Sequence, residues 1–229
     1  MRAALQMMGA VAVAGPLVFA MIRLGLLPGL DEANTAAFWV SVAAVYYGVP
    51  TMAVLVLALG RGEPLGRSLG LRGTSVGWLL GGSTAGAFVA LAFNALFSAS
   101  VTLAGLEPPE VSTKVVDLLS YDLRQDSLGA AVSLALVVLA APFIEEVVFR
   151  GVVLSGLLRR LGPVPGIAVT AFVFAAVHLD LWHFVPLAFL GLVLSYLAWG
   201  SRSVWPAFIA HALVNGLAYV MTALNGVSG

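Results

Sequence analysis

The chain has 229 residues, no formal net charge at neutral pH and no cysteine. Apolar residues make up 61% of it and charged residues only 10%, against roughly 25% charged in a typical soluble domain. The mean hydropathy is +1.03, and no water-soluble fold of this length hides so much apolar surface. Without cysteine there is no disulfide, thiolate metal site or cysteine nucleophile, and without a basic stripe there is no sign of a nucleic-acid partner.

In chain order, apolar stretches of bilayer-crossing length are expected near 7–27, 36–59, 77–104, 127–158, 164–179, 184–199 and 204–224. The first is read as a retained helix and not a signal peptide, because no small-residue cleavage site follows it. No period-2 pattern suggests a barrel, and helices satisfy their own backbone bonds in lipid. The expectation is therefore an all-α, polytopic transmembrane bundle of about seven spans, one membrane domain over residues 1–229. The sixth span is short, so six or eight crossings remain open.

The connections carry the charges. Arg61, Arg67 and Arg72 follow the second span, Arg159 and Arg160 the fourth, and Arg202 the sixth. Acidic connections alternate with these, so the positive-inside rule puts the basic ones on the cytoplasmic side and the C-terminus outside. The polar stretch 110–125 repeats Val111, Val115, Leu118, Leu119 and Leu123 at near-helical spacing, which reads as an amphipathic interfacial helix or as a plain solvated connector. Gly82 and Gly86 form a small-xxx-small pair for close helix packing.

Five ionisable groups stand inside apolar sequence: Glu145, Glu146, Arg150, His178 and His211. A charge at mid-bilayer costs at least about 2.5–3.5 kcal/mol on insertion scales, so such groups are expected to pair or to face a wet cavity. Glu146 and Arg150 are four apart and predict an ion pair on one helix face. Glu145 is rotated about 100° from Glu146 and has no local cation. A carboxylate in that position suits general-base chemistry. The turn Gly162–Gly166 folds spans four and five into a hairpin whose arms put Glu145 and His178 at comparable heights. Pro142 is expected to kink its helix and free a carbonyl near Val138. His211 and Asn215, also four apart, share a face and read either as interhelical glue or as donors to an oxyanion. His183 and Asp180 read as interfacial loop residues.

Three motifs follow in order: Glu145–Arg150 as E-E-x-x-x-R, Phe174–His178 as F-x-x-x-H, and His211–Asn215 as H-x-x-x-N. Together they resemble the CPBP family, the CAAX prenyl protease and bacteriocin-processing (ABI) intramembrane endopeptidases, over roughly residues 125–224, which would form the catalytic core. The resemblance implies that Glu145 and His178 activate a water for attack on a peptide carbonyl. It implies that His211 and Asn215 bind the oxyanion, with Glu146 and Arg150 orienting the site. It also implies a peptide or protein substrate at the membrane and a multi-pass location in the inner or plasma membrane, with the bilayer itself as partner. No metal is favoured, although Glu145, His178 and His211 could supply three zinc ligands with an open fourth position. The competing functional readings are a non-catalytic immunity or scaffold protein and a proton-coupled transporter.

Overall fold

The computed structural model describes residues 21, 35–59, 64–107, 109 and 125–227. The predicted span 7–27 and the stretch 110–125 fall, but for single residues, outside them. The described residues are almost wholly helical, with no strand among them. Five helices are long and apolar enough to cross a membrane: α1 (Ala36–Val56), α2 (Gly77–Leu103), α3 (Ser127–Leu161), α5 (Phe184–Ser201) and α6 (Trp205–Leu224). Between α3 and α5 lies α4 (Pro163–Ala176). The protein is a multi-pass helical membrane protein.

The fifth predicted span, 164–179, differs from expectation. Its helix has 14 residues, about 21 Å at 1.5 Å per residue, short of the ~30 Å hydrocarbon core. Helix α4 starts sharply, with Gly162 at φ 78° and Pro163 behind it. It stops before His178, and Leu179 turns left-handed at φ 55°. The chain therefore leaves helical geometry short of a full crossing, and His178 emerges at the end of a helix instead of along its side.

The distribution of side chains is that of a lipid-solvated protein. Leu80, Phe88, Leu96, Leu128 and Phe172 stand exposed, whereas Glu146, Thr170, Ser133, Ser195 and His211 are buried. Exposed apolar surface on this scale is untenable in water. In the larger of two interior clusters, Val147–Leu154 of α3 meets Phe174 of α4, Leu190 and Leu194 of α5, and Ala207 and Ala210 of α6; in the smaller, Phe38 and Trp39 of α1 meet Tyr219 of α6.

Glycines set the closest approaches. A Cβ on Gly86 would meet Leu197 Cδ1 at 2.7 Å, and one on Gly191 would meet Ala171 Cα at 2.9 Å. The small-xxx-small pair thus serves the α2–α5 contact through Gly86, whereas a Cβ on Gly82 would meet its own helix's Trp78. The tightest case is Gly151, where a Cβ would run into the backbone carbonyl of Leu69. A backbone atom cannot swing aside as a side chain can. Gly151→Ala is therefore expected to destabilise the fold by about 1–3 kcal/mol, the usual range for overpacking, read as a lowered thermal midpoint in detergent.

Helix α3 has an uneven pitch. Its 35 residues include two wide, π-helical stretches, Ala135–Ala140 and Val147–Leu154, on either side of Ala141–Glu146. Insertions of this kind often mark functional sites, because they re-aim side chains within a continuous helix. Here they bracket Pro142, Glu145 and Glu146.

Candidate active site

Glu146 and Arg150 form the ion pair their spacing predicts, with Nη1–Oε1 at 2.9 Å and both side chains inaccessible. Three further groups complete the arrangement. Arg150 Nη2 donates to the carbonyl of Gly191 on α5 at 3.2 Å, and its guanidinium lies 4.6 Å over the ring of Phe174 on α4. His211 Nδ1 of α6 meets the same Glu146 Oε1 at 2.9 Å. Glu146 and Arg150 thus tie together α3, α4, α5 and α6. In a medium without water, each contact replaces solvation that the charges have lost.

Glu145 points elsewhere, as its rotation requires. Its Oε1 accepts a hydrogen bond from the Tyr47 hydroxyl of α1 at 3.2 Å, and its Oε2 lies 4.0 Å from His211 Nε2. The expectation that Glu145 lacks a cationic neighbour holds within its own helix. Across the bundle, His211 stands between the two carboxylates, one ring nitrogen toward each. Tyr47 is a site residue that motif reading missed. Paired hydroxyls at Tyr46 and Tyr47 in an otherwise apolar span were the available signal, since a buried tyrosine hydroxyl needs a partner. Tyr46 finds its own in the carbonyl of Val177, at 3.5 Å.

His178 Nδ1 is 2.7 Å from the carbonyl of Phe174. A carbonyl only accepts, so Nδ1 carries the proton and the neutral ring presents Nε2 as a bare lone pair. The Phe174 ring packs edge-on at 4.8 Å from the imidazole. His178 and Glu145 make no direct hydrogen bond. They line, with Tyr46 and Tyr47, one cavity of about 20 Å³, enough for a single water.

A second, larger cavity of about 750 Å³ adjoins this one through His178, and Asn94, Asp180, His183, Leu190 and Asn215 also line it. At its mouth Asp180 organises a turn. It accepts from the backbone N–H groups of Trp182 (2.9 Å) and His183 (3.1 Å), and from His183 Nδ1 (2.7 Å). Partial burial pushes its carboxyl up, but these bonds outweigh that and hold it below its ordinary value. Asp180 and His183 are therefore a paired turn lock and not independent loop residues.

Asn215 reaches α3. Its Nδ2 donates to the carbonyl of Val137 at 2.9 Å. The freed acceptor was expected near Val138, four residues before Pro142. The turn here is wide, with Ala141 N–H bonded to Leu136 five residues back, so the register lost at proline is Val137. His211 and Asn215 have different partners: the first faces the glutamates, the second spans the proline break. A buried carbonyl left without its donor costs about 1–3 kcal/mol, while interhelical hydrogen bonds in membranes average only about 0.6. Asn215→Leu is expected to cost about 1 kcal/mol in thermal unfolding between those ranges. Pro142→Ala, which restores a backbone N–H in that register, should recover most of it.

Among the described residues no group of three His, Asp or Glu is arranged to hold a metal ion. Glu145 and His211 face each other at 4.0 Å, and His211 already spends Nδ1 on Glu146.

Residues 127–217 match the family model described as Type II CAAX prenyl endopeptidase Rce1-like. This part of the chain is similar to that protease family. The match begins at the first residue of α3 and ends within α6, so the matched segment contains Glu145, Glu146, Arg150, His178, His211 and Asn215, while Tyr47 lies outside it. Comparison with curated proteins and with solved structures finds no match.

Proposed function

We propose that the protein is an intramembrane endopeptidase in which Glu145 is the general base. The observation that carries this reading is the one-water cavity shared by Glu145 and His178, set beside a cavity large enough for a peptide segment. A water there donates one hydrogen to Glu145 and the other to His178 Nε2, which leaves an oxygen lone pair for a peptide carbonyl presented from the larger cavity. Glu145 takes the proton as the C–O bond forms, then passes it to the leaving amine as the C–N bond breaks.

The tetrahedral oxyanion needs fixed donors. In its imidazolium form His211 offers Nε2–H, with Nδ1–H held by Glu146. Asn215 has one amide hydrogen committed to Val137 and a second free for the oxyanion. Glu146 and Arg150 position His211 and do not touch the substrate. Tyr47 holds Glu145 Oε1, which aims Oε2 at the site.

The substrate in this reading is a peptide tethered at the membrane, entering beside α5 and α6. The test is cleavage of a membrane-anchored peptide library by purified protein in liposomes, with products mapped by mass spectrometry. Tyr47→Phe keeps the ring and removes the donor. It is expected to lower kcat by roughly tenfold, the worth of one hydrogen bond to a charged group at about 1.5 kcal/mol, with KM little changed. A library left uncut by folded protein, with or without added metal, would sink the proposal.

A further inference from the structure

The basic connections converge at the end of the bundle away from the proposed active site. Arg67 and Arg72 belong to the segment before α2, Arg159 to the last turn of α3, and Arg202 to the turn between α5 and α6. All four line one cavity of about 660 Å³, which Arg150 of the buried ion pair also lines. No Asp or Glu lines it, and none of the four forms an ion pair with a described residue. These four exposed like charges give the space a positive field that favours an anion.

The cavity is built before any ligand arrives. Val204 N–H donates to the Gly70 carbonyl at 3.1 Å, Ser203 Oγ to the Arg72 carbonyl at 2.6 Å, and Thr74 Oγ1 to the Ser201 carbonyl at 3.3 Å. These bonds fasten the segment before α2 to the α5–α6 turn. Arg202 itself is left-handed, at φ 55°, in the helix-terminal position that glycine normally takes because a Cβ is penalised there. An arginine stands where glycine would be less strained. One wall is apolar, formed by Leu154, Leu158 and the half-exposed Trp199, and tryptophan is the residue of the membrane interface.

We propose that this cavity binds a phosphate group, that of an anionic phospholipid headgroup, with an acyl chain along the Leu154–Leu158 wall. Guanidinium forks match phosphate oxygens two at a time, and basic pockets between transmembrane helices on the cytoplasmic side select anionic headgroups. That is the side to which the charge pattern assigns these loops. The apolar wall favours a lipid over free phosphate. The inference is independent of the peptidase reading. On α5 the two cavities come no nearer than Ala198 of this one and Leu190 of the one beside His178, eight residues or about 12 Å apart.

The experiment uses purified full-length protein in neutral detergent, with bound lipid counted by native mass spectrometry and stability followed by thermal unfolding. Phosphatidylglycerol is expected to bind at least tenfold more tightly than phosphatidylcholine and to raise the unfolding midpoint. The double variant Arg72→Gln, Arg202→Gln should lose at least tenfold in phosphatidylglycerol affinity, while Arg160→Gln, just outside the cavity, should not. Arg202→Gly guards against misfolding: it relieves the left-handed backbone, so weaker lipid binding by that variant at an unchanged or higher midpoint reports the side chain. Equal binding of the two lipids, or full binding by the double variant, overturns the proposal. Inorganic phosphate binding as tightly as phosphatidylglycerol would overturn the lipid assignment and give the site to a free anion.

Discussion

Glu145→Gln is expected to lower kcat for a membrane-tethered peptide by about 10²–10⁴, the range associated with loss of a general base. The substitution keeps the size of the side chain and the acceptor for Tyr47, whose hydroxyl lies 3.2 Å from Oε1. It removes only the capacity to take a proton from water in the cavity shared with His178. Folding should be preserved, and KM should change little, because Glu145 acts on the water and not on the peptide. The measurement is steady-state cleavage in liposomes beside thermal unfolding of the same preparation. Turnover within twofold of the parent in a folded variant would remove Glu145 from the mechanism. The scaffold reading would then account better for the fold.

The second large effect is on stability. Arg150→Leu leaves Glu146 buried, with His211 as its remaining ion partner. It also removes the donor to Gly191 and the cation over Phe174. Breaking a buried ion pair from one side costs about 3–5 kcal/mol, because the surviving charge is stranded. Removing both charges in Glu146→Leu, Arg150→Leu should recover much of that loss, since a buried pair and an apolar replacement of similar volume are often close in energy. Activity should not return with stability, because His211 then lacks the carboxylate that fixes its Nδ1. The double-mutant cycle is read by thermal unfolding, and cleavage is assayed on the double variant. A double variant no more stable than Arg150→Leu would place the energy in packing and not in charge. Recovered cleavage would show that His211 needs no orienting group.

The helices and the Glu146–Arg150 pair follow from short-range rules. Whether a stretch prefers lipid depends on its own residues, and α1, α2, α3, α5 and α6 accordingly lie close to where hydropathy puts them. The ion pair follows from 3.6 residues per turn along one helix. Helix α4 is the exception, because hydropathy continues through Val177 and Leu179 while the backbone turns away at His178. The Val137 acceptor shows a subtler limit. The sequence announces that Pro142 orphans a carbonyl, but the wide turn before it decides which one.

Sequence alone determined that this protein lives in a bilayer, which of its groups are too polar for lipid, and that Glu145 and Glu146 face different ways. Tertiary structure alone decided who meets them: Tyr47 from α1 on Glu145, His211 between the two carboxylates, Asn215 on Val137, and four arginines from separate connections around one cavity. The physical reason is range. Hydropathy and helical phase are set within a few residues, whereas contacts between helices depend on tilt, rotation and the closest approach allowed at Gly86, Gly151 and Gly191, which arise only once all the helices are packed together.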